Sequence, residues 1–384
     1  MTMTTSPVFA EQRLPPWKRA VLKVGSSLLA APGGGLTPRH ALALAQWVSA
    51  NVQAGREVVI VSSGAVAAGR GILPKAAAEA GNLLAAKQAL AALGQAQLIG
   101  LWQRFFERPV AQVLLTHDDL RNRRRYLNAR ATLLELLELG ALPIVNENDT
   151  VSVDELKLGD NDNLAAFVAV LVDADALFIA TDIGGLYTAN PRTDPQARPI
   201  DEITVITPEI VAMAGGTETS IGTGGMRTKL EAAAKAGEAG IGTILFDGTD
   251  VDALRLMAQG KMRGTHIRPA LTRLAARKHW LRHVPAAPGA VLLVDAGAER
   301  ALRERGASLL PGGVVDARGD FARGDMVEIR IEGDGPARLI ARGLTQYSAS
   351  DVRRIARRHT RDIDAVLGFN YGENIVHRDD MVAF

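Results

Sequence analysis

What most limits the folds open to this chain is an alternation repeated along its first 250 residues: short apolar runs of strand type, each followed by a longer stretch of helical periodicity. "AVLKVG" (Ala20 to Gly25) precedes the amphipathic "TPRHALALAQWVSANVQAG", which Gly55 closes, and "EVVIVSSG" follows. That is a strand-helix-strand unit. An Ala/Leu-rich helix from about Leu83 to Phe106, the strand "AQVLLT", a helix near Asn128 to Leu139 and the strand "LPIV" continue the pattern. A helix from Leu164, the strand "ALFIATD", then "GGMRTKLEAAAKAGEAG" with "TILF" complete it. Consecutive parallel strands need crossover helices, and those helices cover both faces of the sheet. The expected class is therefore α/β, a mainly parallel open sheet sandwiched by helices.

The pattern stops after Gly264. Residues 265–286 read as a basic linker, and from Ala287 short pieces such as "AVLLVD" and "DMVEIRIEG" alternate with Gly-rich turns, the mark of a small, mostly β second domain. Residues 1–17 show no basic start followed by an apolar stretch, so they read as a disordered tail rather than a secretory signal. The first domain is thus expected over 18–264 and the second over 287–384. With 47% hydrophobic residues in 384, there is ample material for a core in each. No apolar run reaches the roughly 18 residues that a membrane span needs. The absence of cysteine excludes a disulfide framework, a thiolate nucleophile and a thiolate metal site, and it fits the cytoplasm. The formal charge is only +2, yet eight Lys or Arg and no acid lie between Ala253 and Val294.

Ligands of open α/β sheets sit at the carboxyl ends of the strands. The first strand carries Lys23 and runs into Gly25, Ser26 and Ser27; the second runs into Ser62, Ser63 and Gly64; after "LFIA" stand Thr181 and Asp182. Small side chains and free backbone N-H groups there suit phosphate oxygens, although a Gly-Ser turn is also ordinary turn chemistry. "GTGGMRTK" adds three glycines and Lys229 to a helix start. It is not a Walker A loop, since Thr228 precedes the lysine, and no GxGxxG follows the first strand. P-loop and dinucleotide-binding enzymes are disfavoured. Two clusters of short polar residues complete the set: "PIVNENDT" after the fourth strand and "KLGDNDNLAA" before a helix. Helix capping accounts for one residue of the second cluster, with Asn163 the candidate, but not for both clusters.

These stretches, with "IVSSGAVAAGR", "LLTHDDL", "YLNAR" and "TDIGGLYTANPR", resemble the amino acid kinase family and, within it, the glutamate 5-kinases. "GASLLPGGV", "FARGDMVEI" and "HRDDMV" extend the likeness into a C-terminal PUA-like domain. The resemblance implies ATP-dependent phosphorylation of the side-chain carboxylate of L-glutamate, the first step of proline synthesis. Such an acceptor has a pKa near 4.3 and needs no general base, only alignment and charge neutralisation. By the same resemblance Lys23 and Lys229 would stabilise the transferring phosphoryl group, with Asp162 holding both. Ser63, Asp149 and Asn161 would bind glutamate, Asp149 taking the ammonium and Asn161 the carboxylate. Lys23, Gly25, Ser26, Thr181, Asp182, Tyr187 and the run Thr223, Gly224, Gly225, Met226, Arg227, Thr228 and Lys229 would bind ATP. Asn190 stands where the family pattern leads one to expect Asp. Mg²⁺ would accompany ATP on its phosphates, and no residue is assigned as its ligand. A homodimer or homotetramer and feedback by L-proline are further implications. The rival readings are another carboxylate kinase of this fold, for acetylglutamate, aspartate or carbamate, and RNA binding through the PUA-like domain with the basic Arg255 to Arg282 stretch and "DVRRIARRHTR". The "NEND" and "GDNDN" pair favours free glutamate over the other carboxylates, and against RNA binding stands the fact that helices with Arg on one face are usually solvated.

Overall fold

The computed structural model describes residues 8–75, 83–152, 161–215, 225–269, 271, 286–332 and 337–384. Contacts divide the chain into two compact units, Met1–Asn122 with Asn128–Arg273, and Leu274–Phe384 with the short piece Arg123–Leu127. Strands of the first unit are β1 (Gln12–Arg13), β2 (Arg19–Val24), β3 (Glu57–Ser62), β4 (Val110–Leu115), β5 (Leu142–Glu147), β6 (Ala176–Thr181), β7 (Glu202–Ile203), β8 (Gly242–Asp247), β9 (Lys261–Met262) and β10 (Thr265–Ile267). Eight of them form one sheet in the order β4-β5-β3-β2-β6-β8-β10-β7. The six from β4 to β8 run parallel, and β10 turns antiparallel to β8. β5 and β6 are buried at every position and β2 at all but its first residue, which is why these strands read as continuous apolar runs rather than alternating ones. Lys23 is the one buried charge of β2, Arg19 at its start being partly exposed.

The chain leaves β2 toward β3 on one side and places β6 on the other, so the strand order reverses at β2. A crevice opens at the carboxyl end of such a strand. Helices Ala65–Ile72 and Leu84–Gln103 close one flank of it, crossing backbone to backbone. A Cβ on Gly94 would lie 1.8 Å from the Ala65 carbonyl oxygen, whereas one on Gly100 of the same helix would meet nothing within 4 Å. Gly94→Ala is expected to destabilise the protein by about 1–3 kcal/mol through overpacking. Gly100→Ala is expected to stabilise it by about 0.5–1 kcal/mol, because Ala is the better helix former. Thermal unfolding of the two variants reads the contrast directly.

Two expectations from sequence need correction. Residues 8–17, assigned to a disordered tail, are packed: Phe9, Leu14 and Trp17 are buried, β1 pairs with β9, and Trp17 stands edge-on to Phe178 beside Trp47. These anchors dock one at a time, without a period of 2 or 3.6, so no pattern announces them. The first unit also continues past Gly264, since β10 belongs to its sheet; of the expected linker, 270 and 272–285 lie outside the described residues. Three short strands here, β7, β9 and β10, are too brief to register as apolar runs.

The second unit holds β11 (Val291–Val294), β12 (Val314–Arg318), β13 (Met326–Ile331), β14 (Arg338–Thr345) and β15 (Val376–Ala383), in the order β12-β11-β13-β14-β15. All neighbours are antiparallel except β11 and β13. Its own core gathers Leu292, Ile329, Ile340, Val352 and Ile363 around the fully buried Tyr347. Among the described residues, no helix of either unit is long and apolar enough to cross a membrane.

Candidate active site

At the carboxyl end of β2 the buried Lys23 reaches across to the helix Asn161–Leu171, and Lys229 arrives from the helix Met226–Glu238. Both end on one carboxylate. Lys23 Nζ lies 2.6 Å from Asp162 Oδ1 and Lys229 Nζ 3.2 Å from Asp162 Oδ2, with side-chain exposures of 7, 8 and 1% for Lys23, Lys229 and Asp162. Thr228 Oγ1 donates to the same Oδ2 at 2.7 Å. Burial alone would raise the Asp162 carboxyl, but the charges of Lys23 and Lys229 and the hydrogen bonds from Lys23 and Thr228 hold it below the usual carboxylate range. Asp162 also sits in the first turn of its helix, where the helix dipole favours an anion. The result is a buried cluster in which one carboxylate holds two ammonium groups, a costly arrangement unless the charges are paired.

Beside it lies a chain of amides. Asn161 Nδ2 donates to Ser63 Oγ at 2.9 Å and to Asn146 Oδ1 at 3.1 Å, which uses both of its protons. Asn161 Oδ1 is buried and has no hydrogen-bond partner among the described residues. Ser63, having accepted, keeps its own hydroxyl proton to give. It follows Ser62 of β3 and is held to β2 by its N-H to the Val24 carbonyl. Gly64 next to it has φ +114°, a left-handed conformation that glycine takes without strain, and this turn starts the helix Ala65–Ile72.

Asp149 stands in the loop after β5, buried, at the wall of a cavity of about 350 Å³ that Gln95, Ala96, Gln112 and Leu114 also line. Burial first, and the charge of Glu147 second, push its carboxyl up to about 7. If this carboxylate must be charged to hold a ligand cation, kcat/KM for that ligand should fall about tenfold per pH unit as the pH drops below 7. A profile measured from pH 5.5 to 8.5 tests this, and Asp149→Asn should flatten it.

At the ends of β6 and β8 the other candidates gather. Thr181 is buried at the close of β6, opposite Asp247 in the register with β8, and its hydroxyl lies 3.3 Å from Asp182 Oδ1. Asp182 accepts from Arg192 at 2.7 Å. Tyr187 is half-buried, its hydroxyl pushed up by burial and then by the Asp247 charge. Gly25 caps the short helix that begins at Ser26. Gly225 caps the helix of Met226, Thr228 and Lys229, while Arg227 points to solvent and pairs with Glu231. Thr223 and Gly224 lie outside the described residues. Asn163 proves to be a tie between helices rather than a cap, accepting from Lys235 Nζ at 2.6 Å.

The geometry therefore unites Lys23, Asp162, Thr228 and Lys229 in one contact set, and Ser63 with Asn161 in another. Sequence reading placed Asn146 in its cluster without making it a site residue. Its oxygen orients Asn161, and the signal was its place directly after "PIV". Among the described residues no group of three or more His, Asp or Glu could hold a metal ion.

Comparison with known proteins places the chain. The amino acid kinase family model matches residues 18–247, beginning just after the packed N-terminal segment, and the PUA domain model matches 290–367. Glutamate 5-kinase of Xanthomonas oryzae pv. oryzae is 73% identical over 362 residues, 94% of this chain and 99% of that protein. Glutamate 5-kinase of Xylella fastidiosa (strain 9a5c) is 68% identical over 384 residues, all of both chains. The chain belongs to the glutamate 5-kinase family. In a glutamate 5-kinase the acceptor carboxylate is already an anion at neutral pH.

Proposed function

We propose that this site moves the γ-phosphoryl group of ATP onto the side-chain carboxylate of L-glutamate, giving L-glutamyl 5-phosphate, the first step of proline synthesis, in the cytoplasm. A carboxylate oxygen forms the new bond to phosphorus while the bond to the leaving ADP oxygen breaks; no proton moves. The single observation that carries the reading is the pair of buried ammonium groups on Asp162. Nucleophile, phosphoryl group and leaving group are all anionic, so the barrier is lowered by fixed positive charge and by in-line alignment. Asp162 holds both lysines in place before the substrates arrive.

Glutamate is then read by the second contact set. Asn161 has spent its donors on Ser63 and Asn146, so its free Oδ1 suits the substrate ammonium, together with Asp149. This shifts Asn161 from the carboxylate, its expected partner, to the ammonium, and leaves the Ser63 hydroxyl as the donor to a carboxylate. ATP enters over Thr181, Asp182 and Tyr187. Mg²⁺, which neutralises phosphate charge when bound, fits as a passenger on the ATP phosphates: Asp162 is already committed to two lysines. A homo-oligomer and competition by proline at the glutamate site belong to the same reading.

RNA binding gains little support. Of the basic stretch, Arg255 pairs with Asp252, Lys261 and Arg263 with Glu11, and Arg268 with Glu202. Arg353 and Arg354 of "DVRRIARRHTR" donate to backbone carbonyls of Ala317, Gly319 and Val366. For the described part of the stretch, Asp252, Glu11 and Glu202 supply the acids.

The test is to incubate the protein with Mg²⁺-ATP and hydroxylamine, which traps an acyl phosphate, offering L-glutamate, N-acetylglutamate and L-aspartate separately. Hydroxamate with L-glutamate alone is expected. Preference for either other acceptor would overturn the specificity.

A further inference from the structure

The loop from Asp182 to Tyr187 is not held by the sheet alone. Phe9, only 6% exposed, lays its ring on this loop: its centroid is 5.0 Å from that of Tyr187, with the planes at 74°. That is the edge-to-face arrangement aromatic pairs prefer. The ring also lies directly over the Gly184 and Gly185 backbone. A Cβ on Gly184 would stand 2.5 Å from Phe9 Cε2, and one on Gly185 2.9 Å from its Cζ. The fit tolerates no side chain at either position. The loop is also tied by Leu186 N, which donates to Thr265 Oγ1 at 2.8 Å. Phe9 and Thr265 thus both hold it, and both stand against Gly185.

Phe9 itself is fixed by its own segment. Ala10 N donates to Asp201 Oδ1 at 2.9 Å, and Gln12 Nε2 donates to the carbonyls of Asp201 and Gly264 at 3.1 and 3.0 Å. β1 pairs with β9, Leu14 N donates to the Gly260 carbonyl, and Glu11 joins Lys261 and Arg263. A segment with this many anchors is a built part of the site wall.

We infer that Phe9 is a positioning residue for the nucleotide: it holds the Gly184-Gly185 turn and the Tyr187 ring in the shape that receives ATP, without touching the reacting atoms. The inference rests on the assignment of Thr181, Asp182 and Tyr187 to ATP, and it gives a task to a segment that lies before the family match.

The experiment uses the full chain with three substitutions, Phe9→Ala, Phe9→Leu and Asp182→Asn, each followed by steady-state kinetics in both substrates and by calorimetric titration with ATP. Phe9→Ala should raise the KM and Kd for ATP about tenfold, the size expected for losing an aromatic contact and its burial. KM for glutamate and kcat at saturating ATP should stay within about twofold. Phe9→Leu, which restores bulk over the glycines, should recover most of the loss. A rise with Asp182→Asn but none with Phe9→Ala would overturn the positioning role and leave the nucleotide loop intact as a reading. No rise with either would remove the loop from the ATP site and the inference with it. Equal losses for both substrates, with a lowered melting temperature, would make Phe9 a general stabiliser and also overturn the inference.

Discussion

Asp162→Asn should lower kcat by about a thousandfold or more while leaving a folded protein of reduced stability. The carboxylate is 1% exposed and holds two buried lysines, so the amide removes the charge that both ammonium groups share. Breaking a buried pair in this way typically costs about 3–5 kcal/mol, most of it the penalty of the stranded charge. The lysines must swing apart, lose protons or draw in water, and each response spoils a preorganised field whose single donors are worth about 10²–10³ in kcat. Circular dichroism and thermal unfolding separate folding from catalysis. A variant that folds and turns over at near-normal rate would show that Asp162 is not the post on which the lysines hang.

The second large effect is Lys229→Ala, expected to lower kcat by about 10²–10³ with little change in either KM, because under the proposed reading its charge acts on the phosphoryl group in transit rather than on bound ground states. Here the fold should be spared. Removing Lys229 leaves Asp162 still paired to Lys23 at 2.6 Å and hydrogen-bonded to Thr228. Stability should therefore change far less than in Asp162→Asn, and the contrast between the two is itself diagnostic. Equal stability losses would mean that Lys229 serves the fold as much as the reaction.

Much of this site could be read before any geometry, and the reason is local. Lys23 sits between apolar residues of a strand, which disfavours the ordinary reading of a lysine as a solvated surface cation, and the Asn146 to Asp149 and Asn161 to Asn163 clusters follow a strand and open a helix, the two places where an α/β sheet presents ligands. The residues that escaped notice work over distance. Phe9 meets Tyr187 across 178 positions of sequence, a separation obtained from their numbers, and nothing near Phe9 foretells it. The acids that quench the basic stretch, Glu11 and Glu202, likewise come from elsewhere in the chain. The residue type of Asn161 left open which of its atoms faces a ligand, because its donors are spent on Ser63 and Asn146, and donors and acceptors are allotted by neighbours.

The helix Leu84–Gln103 sets a rule for redesign. One side of it is locked at Gly94 against the Ala65 backbone, while Ala92, Gln95 and Ala96 face the cavity beside Asp149. A library built to admit larger or differently shaped acceptors should leave the glycine fixed and vary those three positions, where added volume fills space that is already open.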